Sequence, residues 1–358
     1  MNEDFYGMKK HLTEQAIFDL LTWYQQNKRD LPWRHTSDPY CIWLSEIMLQ
    51  QTRVEAVKPY YARFLSACPT VKDLAELDED RLMKLWEGLG YYSRVRNLQK
   101  AARTVMRDFG GEIPHTYAEL RRLSGIGEYT AGAIAAIAFG ERVPAIDGNV
   151  LRVLARVMGS REDIADPKTK SAWREALLPL IPERAGDFNQ ALIELGATVC
   201  VPNGEAKCAA CPMAPYCRAH LENLTDELPV KSAKKPRRIE KKTVLVIQDG
   251  DRTALCKRPS KGLLAGLWEL PNREGHLSEG ALVDFIRSIG FEPLRVERIE
   301  DSKHIFTHIE WHMIAYTVRI APEFDGWQGG EGMLLVKNED LHASYAIPSA
   351  FSAYTKYL

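Results

Sequence analysis

The sequence predicts a multidomain chain: an all-α N-terminal domain, then an α+β C-terminal one. Three observations carry this. Apolar residues recur at helical spacing and culminate in a glycine-broken pair of helices over residues 116–140. Residues 229–242, PVKSAKKPRRIEKK, then hold seven Lys/Arg against one Glu, with two prolines and no apolar period, which reads as an exposed linker suited to phosphate contacts. Beyond it come short apolar stretches, TVLVIQ, TALCKR, GLWELP, KHIFTHIEWHMIAYTV and GMLLVK, with helices expected near 279–289 and 348–357. The domains are therefore drawn as 1–228 and 243–358, joined by the 229–242 linker.

At 358 residues, 45% hydrophobic and 27% charged, the chain has room for two or three domains with their own cores. No run of 18 apolar residues occurs and the first ten, MNEDFYGMKK, are polar, so neither a membrane span nor a signal peptide is expected. The formal net charge is −1, so a nucleic-acid partner would have to be held by local basic patches and backbone amides. Four of seven cysteines fall within residues 200–217, which suits a metal site in a reducing cytoplasm better than a disulfide framework.

In chain order, EQAIFDLLTWYQQN (14–27) places Ile17, Leu20, Leu21 and Tyr24 on one helical face. RDLPWR (29–34) sets Arg29, Trp33 and Arg34 around a proline, and loop packing alone would explain it. IWLSEIMLQQT (42–52) is apolar enough for a buried helix, yet Glu46 sits inside it. Such a carboxyl is either ion-paired or protonated, and a protonated one is a general acid. In WEGLGYYSRVRNL (86–98), Tyr91 follows a glycine-rich turn near Arg94 and Arg96, a plausible wedge between stacked bases, whereas Tyr92 is expected in the core.

Thr116 and Glu119 form a capping box, so a short helix should start at Tyr117. Gly125 and Gly127 then permit a tight reversal plugged by Ile126, leaving amides exposed at the start of a second helix, Glu128 to Phe139, which Gly140 ends. Amides at a helix N-terminus bind anions, phosphate above all, although an ordinary helical corner has the same outline. Asp147-Gly148-Asn149 precedes the helical run VLRVLARVM, where Asp147 can serve as an N-cap. Cys200, Cys208, Cys211 and Cys217 give C-x7-C-x2-C-x5-C, open to zinc as a four-thiolate site or to an iron–sulfur cluster.

Taken together, L-x-G-I-G-x-Y-T-A followed by V-P-A-I-D-G-N, and S-E-x-M-L-Q-Q-T at 45–52, resemble the helix-hairpin-helix DNA glycosylases, and most closely the MutY-type adenine DNA glycosylases. The resemblance covers nearly the whole chain. It implies excision of undamaged adenine mispaired with 8-oxoguanine or guanine in double-stranded DNA, by a monomer in the cytoplasm associated with the nucleoid. Glu46 would be the general acid, and Asp147 would stabilise the oxocarbenium-like sugar with Asn149 orienting it. Tyr129 stands where the endonuclease III-like glycosylase/lyases carry lysine, so no Schiff base forms and its hydroxyl is expected near Asp147. A bifunctional glycosylase/AP lyase and a non-catalytic mismatch-binding protein are the rival readings.

The same resemblance assigns Arg29, Trp33, Arg34 and Glu194 to the base pocket, and Gln51 and Thr52 to the helix at the lesion. Tyr91 would intercalate with Leu89 beside it, and Gly125 and Gly127 would grip phosphate. The four cysteines would hold a [4Fe–4S] cluster, the first gap being one residue longer than the family's and containing the Asn203-Gly204 turn. G-L-W-E-L-P and the α+β pattern resemble a Nudix domain. The glutamates of the Nudix motif, counted back from Gly290, are Arg287 and Ser288, so lesion reading rather than hydrolysis is expected there. Phe306-Thr307-His308 matches the family's F-S-H loop for 8-oxoguanine, with Thr keeping the hydroxyl.

Overall fold

The computed structural model describes residues 3–233, 236–321 and 332–358. Its helices are α1 (Glu3–His11), α2 (Glu14–Asn27), α3 (Pro39–Leu49), α4 (Val54–Ala67), α5 (Val71–Glu76), α6 (Glu79–Trp86), α7 (Ser93–Asp108) and α8 (Tyr117–Leu120). They continue as α9 (Glu128–Phe139), α10 (Gly148–Met158), α11 (Pro167–Leu177), α12 (Ala185–Thr198), α13 (Arg218–Leu221), α14 (Glu279–Ser288) and α15 (Asn338–Ser344). The strands are β1 (Arg238–Asp249), β2 (Arg252–Lys257), β3 (Trp268–Glu269), β4 (Asn272–Glu274), β5 (Pro293–Ile305), β6 (Ile309–Ile320) and β7 (Met333–Lys337). Two compact units result, Met1–Glu76 with Arg96–Ala233, and Leu77–Val95 with Lys234–Leu358.

In the first unit, α9 is the central helix. Thr130 through Ala136 are all buried, as a helix apolar on every side must be. Its packing partners come close because glycine faces backbone: a side chain at Gly132 would lie 2.3 Å from the Pro144 carbonyl oxygen, and one at Gly186 of α12 would lie 2.8 Å from the Ala136 carbonyl oxygen; α12 meets α10 in the same way, a side chain at Gly196 lying 2.7 Å from Asn149 Cβ. The N-cap half of the capping box is present, with Thr116 Oγ1 accepting from the Glu119 amide; the Glu119 carboxylate accepts from the Thr116 hydroxyl rather than from its amide, and α8 starts at Tyr117. Gly125 has φ +76, Ile126 is 5% exposed, and Gly140 closes α9 in the left-handed conformation.

In the second unit the sheet runs β3-β2-β1-β6-β5, with β4 pairing β1 and β7 pairing β2. β1 and β6 are parallel over Arg238↔Ile309 to Gln248↔Arg319. Both faces are covered, which is why TVLVIQ reads as continuous apolar rather than alternating. Val244 and Val246 pack with Trp311, Leu341 and Phe351 on one side, and Leu245 and Ile247 with Leu282, Ile286 and Phe291 of the α14 region on the other.

Four expectations are corrected here. The basic segment does not stay a linker to residue 242: β1 starts at Arg238, because β6 offers its backbone from Ile309 and the Lys/Arg side chains stand in solvent. Lys234 and Lys235 of that segment lie outside the described residues. Residues 77–95 group with the second unit rather than the first. Lys84 Nζ donates to the Tyr345 carbonyl at 3.1 Å, the Glu87 carboxylate accepts from the Ile347 amide at 2.8 Å, and Lys257 pairs with Asp80 at 3.1 Å. The 303–318 stretch is two strands of a hairpin, and 348–357 holds two short 3-10 turns, Ser349–Phe351 and Thr355–Tyr357, rather than a helix.

Candidate active site

Asp38 caps α3 by accepting from the Tyr40 amide at 2.8 Å, and Pro39 occupies the first turn where its missing N–H is harmless. Ile42 through Met48 are all buried, so the helix carries Glu46 inside with it, 7% exposed. The Tyr129 hydroxyl, from the first turn of α9, donates to Glu46 Oε2 at 2.8 Å. Burial pushes the Glu46 carboxyl up, the Tyr129 hydrogen bond pulls it down, the Asp147 charge raises it and the Arg34 charge lowers it; the balance lies at about 7. The hydroxyl expected near Asp147 is hydrogen-bonded to Glu46, and the charges of both carboxylates act on Tyr129, whose own ionisation burial suppresses.

Asp147 is the N-cap of α10. Its Oδ1 accepts from the Asn149 amide at 2.9 Å and the Val150 amide at 2.8 Å, and its Oδ2 from Asn149 Nδ2 at 2.8 Å. Burial raises this carboxyl and the three hydrogen bonds oppose that, so the cap restrains an upward shift rather than producing a depressed value. Asn149 Oδ1 in turn accepts from Arg152 Nη2 at 2.9 Å. Glu46, Tyr129, Asp147 and Asn149 thus share one constellation, with Glu46 buried and the other three half-buried.

Arg29 and Arg34 meet, but on Glu194 rather than on an open pocket. Glu194 is fully buried; its Oε1 accepts from the Arg29 amide at 3.0 Å and Nε at 2.7 Å, and its Oε2 from Arg29 Nη2 and Arg34 Nη2, both at 2.8 Å. Burial pushes that carboxyl up, but the Arg29 and Arg34 bonds outweigh it and leave it at about 2. Expected beside a bound adenine, Glu194 has its oxygens occupied by guanidinium groups. Trp33 is buried edge-on against Tyr61, ring centroids 5.4 Å apart. Gln51 is exposed with φ +57, and Thr52 Oγ1 donates to the Gln50 carbonyl at 3.3 Å. Gly125 and Gly127 lie at the turn, and Gly127 caps α9 without a side-chain oxygen to occupy its first amides.

In the second unit, Tyr91 stands 46% exposed at φ +48 while Leu89 and Tyr92 are buried, so of the wedge pair only the tyrosine projects. Its hydroxyl lies 2.9 Å from Thr307 Oγ1, at the tip of the β5–β6 hairpin. Phe306 packs edge-on against Trp311 at 4.9 Å, and the His308 carbonyl accepts from the Arg238 amide at 3.0 Å.

Cys200, Cys208, Cys211 and Cys217 line a single cavity with Val153, Leu195 and Met213. Amides aim at two of the sulfurs, Met213 at Cys211 and His220 and Ala219 at Cys217. Burial raises these thiols, Cys211 to about 12, which a bound cation would reverse. Among the described residues no three His, Cys, Asp or Glu groups converge on a single ion. The four thiols lining one cavity are a donor set whose chemistry suits a metal cofactor. Gly204, in the longer first gap, turns the chain at φ +75.

Sequence reasoning missed Arg152 and Arg156. They lie four apart on α10 and are both buried: Arg152 Nε binds the Cys200 carbonyl at 2.9 Å, and Arg156 Nη1 lies 3.3 Å from Cys200 Sγ. Two arginines spaced four apart in an otherwise apolar helical run were the available signal. Gln50, whose Nε2 donates to Thr130 Oγ1 at 3.2 Å, was also passed over.

A helical unit that sets a buried and a half-buried carboxyl near one tyrosine of a glycine-turned helix pair, with a second unit built on a mixed sheet, defines the class. Residues 44–182 match the HhH-GPD superfamily of base excision DNA repair proteins, and residues 243–357 match a NUDIX domain. The helical fold is shared with a thermostable thymine-DNA glycosylase (TM-score 0.54, 30% identity, covering 60% of this chain and 98% of that one). It is shared too with a non-covalent endonuclease III–DNA complex (TM-score 0.51, 22% identity, covering 60% and 98%). The adenine DNA glycosylase of Mus musculus is 37% identical over 84% of this chain and 70% of its own length, and that of Homo sapiens 34% over 98% and 76%. The chain belongs to the adenine DNA glycosylase family.

Proposed function

We propose that this chain excises adenine opposite 8-oxoguanine or guanine in double-stranded DNA, as a monofunctional base-excision glycosylase. The observation that carries the reading is Glu46: a carboxyl poised at about 7, hydrogen-bonded by Tyr129 and within the field of Asp147. Extruding the adenine costs roughly a few kcal/mol, offset by the Tyr91 wedge and by phosphate held at Gly125 and Gly127. Glu46 then donates its proton to N7 of the base, which makes the purine a better leaving group. The Asp147 carboxylate stabilises the positive charge developing on the sugar, its orientation fixed by the Asn149 and Val150 amides, and water completes the hydrolysis. Tyr129 has no amine for a Schiff base, which supports base removal alone.

The second unit reads the lesion through Phe306, Thr307 and His308, with Gln51 and Thr52 contacting the helix at the lesion. The four cysteines would hold a [4Fe–4S] cluster, which when bound supplies rigidity to the segment carrying Lys207 and Arg218 rather than an electron to the reaction. The enzyme acts as a monomer, in the cytoplasm and on the nucleoid.

The test is a single-turnover assay on duplexes pairing adenine with 8-oxoguanine, guanine or thymine. Alkali-labile sites are expected opposite 8-oxoguanine and guanine, without strand cleavage before alkali. Efficient covalent trapping by borohydride would restore the lyase reading, and unreacted adenine in every duplex would leave only the binding one.

A further inference from the structure

Tyr91 projects from a turn of left-handed residues. Gly88 and Gly90 stand at φ +95 and +70, which glycine adopts freely, but Tyr91 itself stands at φ +48, where its Cβ is crowded. Three successive carbonyls of this turn accept from one residue, Arg94, in the first turn of α7. Its Nη2 donates to the Leu89 carbonyl at 3.1 Å and to the Gly90 carbonyl at 3.2 Å, and its backbone amide donates to the Tyr91 carbonyl at 2.9 Å. Trp86 Nε1 adds a bond to the Gly90 carbonyl at 3.1 Å. The guanidinium lies over two rings, that of buried Trp86 at 5.3 Å and that of exposed Tyr91 at 5.6 Å. We propose that Arg94 is a positioning residue for base excision: it locks the turn that holds the Tyr91 ring outward for entry into the base stack, without entering the stack itself.

The inference rests on the wedge role proposed for Tyr91. A ring that unstacks a duplex is pushed back by the bases on either side, and a glycine-rich turn has little stiffness of its own to resist them. Arg94 supplies it. The side chain is 9% exposed, and everything it grips lies within residues 86–94 of one unit. Its bonds to the carbonyls are charge-assisted, hence stronger than the neutral bonds that usually close a turn. Burial pulls the guanidinium down to about 10, so it still carries its charge at neutral pH. Lysine would keep a charge here but lose the flat cation that lies over both rings.

The test is base unstacking, read as the fluorescence of 2-aminopurine placed next to 8-oxoguanine in a duplex whose opposing adenine sits on a 2′-fluorinated sugar and so resists excision. Saturating unmodified enzyme raises the fluorescence, and Tyr91→Ala abolishes the rise. Arg94→Gln should lower the rise at saturation and weaken binding by about tenfold. In the Tyr91→Ala background the same substitution should cost less than about twofold, because the residue it acts through is already gone. A full rise with Arg94→Gln, or the same tenfold loss in the absence of Tyr91, overturns the proposal. Should Arg94→Gln not fold, Arg94→Lys must lower the rise likewise; a full rise refutes it. An undiminished rise with Tyr91→Ala would instead refute the wedge itself.

Discussion

Replacing Glu46 by glutamine separates what this carboxyl does for the reaction from what it costs the fold. In the unfolded chain the group ionises near 4.5, and in the folded one at about 7. The native state therefore holds the proton between those values. Stability is fully present below pH 4.5 and falls as pH rises toward 7, by about 3 kcal/mol in total. Glutamine keeps the shape and an oxygen to accept from Tyr129, but has nothing to ionise. Urea unfolding of both proteins at pH 4.5 and pH 8 should show the variant gaining about 3 kcal/mol relative to the unmodified enzyme at the higher pH, within a factor of two. Excision by the variant should fall by about a hundredfold to ten-thousandfold. If the stability difference is the same at both pH values, the carboxyl is not held protonated by burial and the acid assignment loses its physical basis.

Tyr129→Phe deletes the bond that favours the ionised form, so the alkaline limb of the single-turnover profile should move to higher pH; a move to lower pH would contradict the burial argument. Asp147→Asn substitutes one good helix cap for another, so thermal melting should shift by only a few degrees while excision drops at least about a hundredfold. Equal losses of stability and activity would mean that Asp147 is a cap and nothing more. Tyr91→Phe keeps the ring but removes the hydroxyl that meets Thr307, and should weaken binding to an adenine:8-oxoguanine duplex by about twofold to tenfold, with Tyr91→Ala weaker still, in a fluorescence titration.

Local rules carried most of the first unit's elements. α2 and α9 begin and end where periodicity and the Gly140 stop place them, because those signals are contained within a dozen residues. β5 escaped notice since no residue from Pro293 to Ile305 is fully buried, so its strand character comes from pairing with β6 rather than from an apolar period. The attachment of residues 77–95 to the second unit was invisible for a similar reason. It is made by Lys84 and Glu87 on backbone groups at Tyr345 and Ile347, contacts that leave no pattern in composition. At the site, the residue types were legible as Glu46, Asp147 and Tyr129, but not who binds whom. A tyrosine hydroxyl facing two carboxylates and two arginines sharing a third present a choice that only packing resolves.

The closeness of α9 and α12 to their neighbours has a price in mutational tolerance. At Gly132 an added methyl group meets a carbonyl oxygen, and at Gly196 it meets Asn149, the residue that steers the Asp147 carboxylate. Neither glycine carries a reactive atom, yet alanine at either one must push apart the scaffold on which two acids are aligned to within a fraction of a bond length. Harmful substitutions in this enzyme will therefore cluster not only among its chemically obvious side chains but also at positions whose sole contribution is the absence of one.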